Sequence, residues 1–423
     1  MKVLIIGGGG REHAIAYKIA QSKKVSAIYC APGNAGIEEY AVCVPIGVME
    51  FDKLADFAVK EGIDLTVVGP DDPLVGGIVD VFLERGLRIF GPKKDAAMIE
   101  GSKAFSKELM KKYHIPTASF EAFHTAKEAY NYLENCSYPI VLKADGLALG
   151  KGVLICNTKE EAADGVKSIM EDKQFGAAGD VLVIEEFMTG REVSILAFCD
   201  GTDIAVMTSA QDHKRALDND EGLNTGGMGT FSPSPFYTQE INDYCMEYIY
   251  KPTMDAMKKE GRSFTGILFT GLMLTKDGPK VLEYNARFGD PETQVVLPRL
   301  KTDLIEIFES CIDGCLSKLK LEFEDNAAVC VVLASKGYPL AYEKGYRIDG
   351  LEELKKTESV FAFHAGTKKE NDTVVTAGGR VLGITATGSN LKEARRNAYK
   401  AAEVVKFANK YHRNDIGKAI DEA

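Results

Sequence analysis

Short apolar runs alternate with amphipathic stretches along the first part of the chain. The apolar runs predict strands at Lys2–Ile6, Ser26–Cys30, Leu65–Gly69 and Arg88–Phe90. The amphipathic stretches predict helices at His13–Ser22, Phe51–Glu61 and Leu74–Arg85. Strands that alternate with helices form a parallel sheet covered by helices on both faces. We therefore expect an N-terminal open α/β domain at residues 1–101.

The pattern changes over residues 102–325, where strands and helices no longer alternate one for one. Helices are predicted at Ser102–Tyr113, Ala126–Leu133, Gln239–Lys259 and Lys301–Lys318. Strands are predicted from Thr117 onward and at Ile140–Lys143, Val153–Cys156, Val181–Phe187 and Gly266–Thr275. We expect a second domain here, with a lid-like subdomain at about residues 117–187.

The last part of the chain is rich in predicted strands and ends in a helix. A hinge at Leu319–Asn326 precedes strands at Ala327–Ala334, Val360–Ala365 and Arg380–Thr387 and a helix at Leu391–Ala408. We expect a β-rich α+β domain at residues 326–423. The fold class is thus α/β and α+β, in several domains.

Composition narrows the class of function. A chain of 423 residues with net charge −11 is unlike a protein with a broad nucleic-acid-binding face. No apolar run reaches the roughly 18 residues that span a bilayer. The nine cysteines lack a C-x-x-C pair, which favours free thiols in a reducing compartment. We expect a cytoplasmic protein without a nucleic-acid or membrane partner.

A glycine-rich turn follows the first strand, at Gly7–Gly10. Counted from Gly7, the third glycine of a G-x-G-x-x-G fingerprint falls on Glu12, and no acidic residue closes the second strand, so NAD binding is disfavoured. Free N–H groups at a helix start still make Gly8–Arg11 a candidate phosphate cradle. The alternative is a tight strand-to-helix turn with no ligand.

A second glycine-punctuated loop, Ala144–Lys151, lies between two predicted strands. Gly146, Gly150 and Gly152 allow such a loop to fold over a polyphosphate, while Lys143 and Lys151 supply charge. The loop does not match the P-loop pattern, because no GK[ST] opens a helix. An ordinary hairpin remains the alternative.

The strand Val181–Phe187 ends in two carboxylates, Glu185 and Glu186, and Glu192 follows closely. These acids are either solvated or placed to accept from an amino group and from ribose hydroxyls. In the second case the backbone around Phe187 and Met188 reads a purine edge.

Residues 209–235 form the longest stretch without apolar periodicity. A loop of this length inside a compact domain is uncommon unless it is functional. The stretch concentrates polar side chains and then glycines: Asp212, His213, Lys214, Arg215, Asn224, Thr225, Gly226, Gly227, Met228 and Gly229. A disordered linker is the alternative.

The segment Leu282–Glu292 carries the strongest candidate chemistry. On a strand, Glu283 and Asn285 point to the same face, and this pair of oxygen donors suits Mg²⁺, which keeps waters and phosphates as its other ligands. Arg287 continues the alternation and is placed to grip a carboxylate or phosphate.

Together these motifs resemble the glycinamide ribonucleotide synthetase family of the ATP-grasp superfamily. The resemblance covers nearly the whole chain, through GGGGREHA, APGNAG, VGPDDPL, EGSKAFSK, LKADGLALGKGV, QDHKRALDNDEGLNTGGMG, LEYNARFGDPE, ASKGYP, FHAGT and GGRVLG. It implies that residues 102–325 form an ATP-grasp domain and that the N-terminal domain binds substrate. The departures are Arg191 and the residues Ala216–Asn219 and Glu221–Leu223, which leave the fine contacts of that segment open.

The resemblance also assigns roles to residues. ATP contacts are implied for Lys103, Lys143, Gly150, Glu185, Glu186, Phe187, Met188, Glu192, Arg215 and Asn224. Substrate contacts are implied for Gly9, Gly10, Asn34, Asp212, Lys214, Gly226, Gly227, Met228 and Arg287. Glu283 and Asn285 are the implied ligands of Mg²⁺ or Mn²⁺, and Lys143, Arg215 and Arg287 the implied catalytic groups.

The implied reaction joins glycine to 5-phosphoribosylamine at the expense of ATP, through glycyl phosphate, in purine biosynthesis. Phosphoryl transfer asks mainly for alignment and charge neutralisation, which two lysines, an arginine and a metal provide. Two alternatives remain: another ATP-grasp ligase or carboxylase, and a nonenzymatic nucleotide sensor. We expect a monomer, with a dimer as the alternative.

Overall fold

The computed structural model describes residues 1–147 and 152–422, and the N-terminal part of it is a parallel sheet. Its strands are β1 Lys2–Gly7, β2 Ala27–Pro32, β3 Val42–Cys43, β4 Leu65–Val68 and β5 Ile89–Phe90. They lie in the order β3-β2-β1-β4-β5, and every pair is parallel. The helices are α1 Gly10–Ile19, α2 Phe51–Glu61, α3 Asp71–Gly76, α4 Ile78–Glu84 and α5 Lys94–Gly101. The predicted parallel α/β fold is confirmed.

The single helix predicted at Leu74–Arg85 is wrong in one respect. Gly77 has φ 97°, a left-handed value, so the chain breaks there and forms α3 and α4 in succession.

Helix α6, Lys103–Lys112, leads into an antiparallel sheet. Ser102 caps the helix, because its hydroxyl accepts from the N–H of Phe105. The sheet strands are β6 Phe120–Phe123, β7 Ile140–Ala144, β8 Val153–Cys156 and β9 Leu182–Glu186, in the order β6-β9-β7-β8. Helices α7 Ala126–Leu133 and α8 Lys159–Val166 cover one face of it and share its apolar core.

The middle of the chain supplies two further sheets. Its strands are β10 Arg191–Asp200, β11 Ile204–Val206, β12 Gln211–Asp212, β13 Arg215–Leu217, β14 Glu221–Asn224, β15 Gly229–Ser232, β16 Thr265–Thr275 and β17 Gly278–Asn285. Strands β11-β10-β16-β17 form one antiparallel sheet, and β13 and β14 form a separate hairpin. Helices α9 Gln239–Cys245 and α10 Lys251–Lys259 are joined through the helical segment Met246–Tyr250. Together they form the helix predicted at Gln239–Lys259.

The C-terminal elements build the last large sheet. They are α11 Thr293–Val296, α12 Leu304–Ile312, β18 Ala327–Ser335, α13 Leu351–Leu354, β19 Val360–His364, β20 Thr367–Glu370, β21 Thr373–Thr376, β22 Arg380–Gly388, α14 Leu391–Val404 and β23 Lys410–Tyr411. The sheet order is β12-β15-β18-β22-β19, with β23 paired to β18. The helix predicted at Lys301–Lys318 is shorter, because the chain turns at Gly314, where φ is 65°.

Residues 209–235 are therefore not one long loop. Four short strands run through them, and β15 pairs with β18 across the C-terminal sheet. The strands are short and carry few apolar residues, and one of them, β15, finds its partner β18 about a hundred residues later in the chain, so the local pattern does not reveal them.

The N-terminal and central sheets share apolar cores. One cluster joins Phe82 and Ile99 to Leu268 and Tyr284. A second joins Phe90 to Phe308, whose ring centroids lie 4.3 Å apart. All nine cysteines are free. No helix in the described ranges combines the length and the apolar character needed to cross a membrane.

Candidate active site

A cleft of about 1490 Å³ opens between the four-stranded sheet of β6–β9, the central sheet and the C-terminal sheet. The predicted site residues that line it are Lys103, Lys143, Glu185, Glu186, Phe187, Met188, Glu192, Asp212, Lys214, Arg215, Asn224, Gly226, Glu283, Asn285 and Arg287. The fold therefore brings together most of the residues assigned from sequence, although they come from distant parts of the chain.

Five predicted residues are not among those lining this cleft: Gly9, Gly10, Asn34, Gly227 and Met228. Gly150 lies outside the residues that the structure describes.

The paired oxygen donors Glu283 and Asn285 lie at the end of β17. A β-bulge at Leu282 shifts the pairing with β16, and beyond it Glu283 lies opposite Gly271 and Asn285 opposite Phe269. Tyr284 between them is buried on the other face, where its hydroxyl lies 2.7 Å from that of Thr253. The same-face prediction for Glu283 and Asn285 follows from this alternation.

Glu283 is surrounded by lysines. Its Oε1 lies 3.4 Å from Nζ of Lys214, which is also 3.3 Å from Oε2 of Glu192. Lys214 first, then Lys143 and Lys103, lower the pKa of Glu283 to about 2, against the opposing effect of burial. The carboxylate is therefore ionised at neutral pH, as a ligand for a hard cation must be.

The donor set fits a cation that takes only part of its shell from protein. Within residues 1–147 and 152–422, no three His, Cys, Asp or Glu side chains come together as a metal-binding group. One carboxylate and one neutral amide oxygen leave the remaining positions to water and phosphate oxygens, as Mg²⁺ prefers. Mn²⁺ accepts the same oxygen ligands.

Lys103 connects helix α6 to the glycine-rich loop. Its Nζ donates to the carbonyl of Gly146 at 2.8 Å. The carboxylate of Asp145 accepts from the hydroxyl of Ser102 and from the N–H of Ala104, each at 3.0 Å. These bonds hold the start of the predicted phosphate cover against the N-terminus of α6.

Lys143, on the strand that leads into this loop, belongs to a buried triad of charged side chains with Glu185 and Lys107. Glu185 lies 2.9 Å from Nζ of Lys107 and 2.9 Å from Nζ of Lys143, and all three side chains are buried. Lys107 also donates to the hydroxyl of Thr117 at 2.8 Å. Burial, partly offset by Glu185, lowers the pKa of Lys107 to about 8. Glu185 is thus engaged by lysines, whereas Glu186 points outward to Lys280 and Ser119.

An apolar pocket adjoins the two acids. Met188 packs with Ala118, Met273 and Leu282, and Phe187 keeps 37% of its surface exposed at the rim. A flat, partly apolar ring fits between such side chains and the strand edge. The placement suits the adenine-reading role expected of Phe187 and Met188.

Arg287 does not continue the strand alternation. Strand β17 ends at Asn285, so the expectation that Arg287 shares its face is wrong. Its Nη2 lies 3.1 Å from Oε1 of Glu100 and 4.0 Å from Oδ2 of Asp71. Burial, opposed by Arg287, raises the pKa of Glu100 to about 7. Arg287 is held by acids of the N-terminal part while still lining the cleft.

The backbone of the glycine turn before α1 makes hydrogen bonds to nearby side chains of the protein. The N–H of Gly9 donates to Oε2 of Glu12 at 2.6 Å, and a Cβ on Gly10 would lie 2.7 Å from Nε2 of Gln294. The amide of Asn34 donates to the carbonyls of Gly8 and His364, at 2.9 and 2.7 Å. These bonds join the N-terminal and C-terminal parts, and the substrate roles of these residues remain predictions.

Several lining residues escaped the sequence reasoning. Lys107 follows Lys103 by one helical turn, a spacing that could have drawn attention to it. Arg380 and Arg413, which also line the cleft, gave no such signal because their partners lie about 90 to 200 residues away.

Three sheets around one cleft, lined by lysines, an acid–amide pair, Gly146 and Gly152, are typical of an ATP-grasp protein. Comparison with protein-family models supports this class and narrows it. The models for phosphoribosylglycinamide synthetase match residues 1–100 (N domain), 101–293 (ATP-grasp domain) and 328–419 (C domain). The chain belongs to the phosphoribosylglycinamide synthetase family.

Curated relatives agree over the full length. The phosphoribosylamine–glycine ligase of Caldanaerobacter subterraneus is 53% identical over 98% of this chain and 99% of its own. The phosphoribosylamine–glycine ligase of Halalkalibacterium halodurans is 52% identical over 100% of this chain and 98% of its own length.

Solved structures agree as well. The crystal structure of phosphoribosylamine–glycine ligase from Thermotoga maritima matches with a TM-score of 0.85 at 36% identity, covering 99% of this chain and 100% of that one. The biotin carboxylase domain of Hydrogenobacter thermophilus 2-oxoglutarate carboxylase, in complex with MgADP, matches with a TM-score of 0.73 at 16% identity, covering 97% and 91%. The second match shows the shared fold alone.

Proposed function

We propose that this chain ligates glycine to 5-phosphoribosylamine, converting ATP to ADP and phosphate by way of glycyl phosphate. One observation carries the proposal: Glu283 and Asn285 face the same cleft as Lys103, Lys143 and Lys214. This arrangement places positive charge beside a pair of oxygen donors for a cation, and phosphoryl transfer calls for both.

The family resemblance suggests a role for each residue, and the positions in the cleft support these roles. Lys103 and Lys143 bind the ATP phosphates, and the apolar pocket at Met188 receives adenine. Arg215 and Asn224 contact the nucleotide from the hairpin β13–β14. Arg287, held by Glu100, orients an anionic substrate group, and Asp212, Lys214 and Gly226 lie where the second substrate must approach.

Glu283 and Asn285 would hold Mg²⁺ or Mn²⁺. Held by these two residues, the metal would supply Lewis-acid chemistry and would neutralise negative charge on the phosphates. The protein itself aligns the groups and keeps Glu283 ionised through Lys214. We place this reaction in the cytoplasm and expect a monomer, and the nine free cysteines support that compartment.

The first experiment measures ADP release with Mg²⁺, ATP and glycine, with and without phosphoribosylamine generated in the assay. Turnover that requires all three substrates supports the ligase. Turnover that ignores phosphoribosylamine would point to another ATP-grasp substrate, and nucleotide binding without turnover to a sensor.

The metal assignment has its own test. Glu283→Gln keeps the shape of the side chain but removes the charge, so we expect kcat to fall by about 100-fold or more. Mn²⁺ binding in the presence of nucleotide, followed by electron paramagnetic resonance, should weaken in parallel. Glu322→Gln, outside the cleft, is the control. Unchanged Mn²⁺ affinity in Glu283→Gln would contradict the assignment.

A further inference from the structure

The hairpin β13–β14 needs an external support. Among residues 1–147 and 152–422, its two strands pair with each other and with no other strand, through Arg215 with Asn224 and Leu217 with Glu221. Isolated two-stranded hairpins are at best marginally stable in water. Yet Arg215 and Asn224 both line the cleft, so their positions depend on whatever holds the hairpin.

The support comes from the end of the chain, residues 411–422, which we name the C-terminal strap. The hydroxyl of Tyr411 donates to the carbonyl of Ala216 at 2.9 Å. Asn414 donates twice to Asp218, from its backbone N–H at 2.7 Å and from its side chain at 2.9 Å. These contacts follow the first strand of the hairpin into its turn.

Arg413 is the centre of this contact. Its side chain is 1% exposed, and two of its nitrogens donate to the carboxylate of Asp415 at 2.8 Å each. Its Nη1 donates to the carbonyl of Arg215 at 3.0 Å and lies 2.9 Å from Oδ1 of Asp220. The planar guanidinium makes these four contacts from three nitrogens, two of them as a bidentate pair with Asp415, and the single nitrogen of a lysine cannot reproduce that geometry.

Arg413 is itself anchored to the C-terminal core. Its carbonyl accepts from the hydroxyl of Tyr399 at 2.9 Å, and that hydroxyl accepts from the N–H of Ile416 at 2.8 Å. The N–H of Asn219 returns a bond to Asp415 at 2.8 Å. A continuous set of hydrogen bonds therefore runs from helix α14, through Arg413, to the backbone of Arg215.

The strap also reaches the predicted adenine pocket. Asp415, Lys418 and Glu422 line the cleft, and Glu422 lies 2.9 Å from Nη2 of Arg191. Arg191 in turn lies over the ring of Phe236, with 3.6 Å between its Cζ and the ring centroid. The strap therefore touches both the hairpin and the rim of the nucleotide pocket.

We propose that Arg413 is a positioning residue for the nucleotide, since it fixes the hairpin so that Arg215 and Asn224 face ATP. The inference rests on the proposed ligase function and adds the end of the chain to it. The C-terminal domain thereby shapes a site that the resemblance assigns mainly to the ATP-grasp domain.

The test compares Arg413→Lys and Arg413→Ala with the wild-type enzyme. We expect KM for ATP to rise about tenfold in Arg413→Ala and by less in Arg413→Lys, while KM for glycine changes less than about twofold. Cleavage by a glutamate-specific protease after Glu221, an exposed residue at the start of β14, should accelerate in the same order.

A milder variant guards against misfolding. Asp218→Ala removes only the bonds from Asn414. It should therefore raise KM for ATP, as the Arg413 variants do, while the protein stays folded. Arg347→Ala is the matched control, because Arg347 pairs with Asp349 at 2.7 Å with the same sequence spacing, at an exposed site outside the cleft. It should change neither KM nor cleavage.

The outcomes separate this inference from the ligase itself. Arg413→Lys and Asp218→Ala that match wild type in ATP affinity and cleavage rate would overturn the positioning role, as would equal losses for ATP and glycine. If wild type showed no ligation, the reaction would be wrong, and the affinity for a nonhydrolysable ATP analogue, together with cleavage, would still decide the role of Arg413.

Discussion

At the scale of single residues, neighbours in sequence have opposite environments. Glu185 and Glu186 end strand β9, and the alternation of the strand sends one inward and the other outward. Glu185 is 3% exposed and meets two buried lysines, whereas the side chain of Glu186 is 43% exposed and meets Lys280 at 3.3 Å. The strand pairing decides which carboxylate belongs to the core.

This difference gives a prediction on stability. Glu185→Gln removes the direct ion-pair partner of two buried lysines, Lys107 and Lys143, so we expect the free energy of unfolding to fall by roughly 3–5 kcal/mol. Glu186→Gln breaks only an exposed pair and should cost less than about 1 kcal/mol. Urea titrations followed by circular dichroism measure both. Equal losses in the two variants would contradict the triad.

Sequence reasoning succeeded for residues whose position follows from local alternation. Glu283 and Asn285 were paired correctly because β17 stays regular between them. Arg287 was misplaced because the strand ends two residues earlier, and nothing in the sequence marks that end. Lys107 and Arg413 were missed because their functional partners are set by tertiary contacts.

At the scale of elements, the glycine-rich loop depends on one backbone conformation. Gly146 has φ 104°, a value that side-chain-bearing residues rarely adopt, and its carbonyl accepts from Lys103. The loop can leave β7 in this direction only while residue 146 is glycine.

Gly146→Ala should therefore disturb the predicted phosphate cover. We expect about a tenfold loss of affinity for ATP, because Lys103 and the loop lose their shared geometry. Gly176→Ala is the control, since Gly176 lies in the same subdomain with φ 59° and no atom within 4 Å of a Cβ. Fluorescence titration with a labelled nucleotide measures both. A Gly146→Ala variant that binds as wild type would exclude this role for the loop.

The elements themselves were predictable to different degrees. Helix Phe51–Glu61 and strand Val153–Cys156 match their predicted ranges, because strong periodicity and flanking glycines define them. The strands within residues 209–235 were not predicted, because they are only two to four residues long and carry few apolar residues, and because β15 pairs with the distant strand β18.

At the scale of the whole molecule, the N-terminal and C-terminal parts of the chain are joined by hydrogen bonds. His13, on α1, accepts at Nδ1 from the N–H of His364 on β19 at 2.8 Å. Asn34 donates to the carbonyl of the same residue. Composition and local pattern contain no information about this contact, since more than three hundred residues separate its members.

The buried imidazole of His364 also makes the fold sensitive to acid. His364 is 7% exposed, and its Nδ1 lies 3.0 Å from the hydroxyl of Thr367. Burial, with a smaller contribution from Lys355, lowers the pKa of His364 to about 4 from 6.5. Between pH 4 and 6.5, His364 therefore binds a proton in the unfolded chain but not in the folded one. The contribution of His364 to the free energy of unfolding is fully present above pH 6.5 and is lost as the pH falls from 6.5 towards 4.

His364→Gln should reduce this sensitivity, because glutamine can still bond Thr367 but does not titrate. Between pH 7.5 and 5.5, we expect the fall in unfolding free energy to be smaller than in wild type by about 1.4 kcal/mol. Urea titrations at the two pH values measure it, with His124→Gln, at an exposed position, as the control. If His364→Gln kept the full wild-type loss, protonation of His364 would not be the cause of the loss of stability in acid.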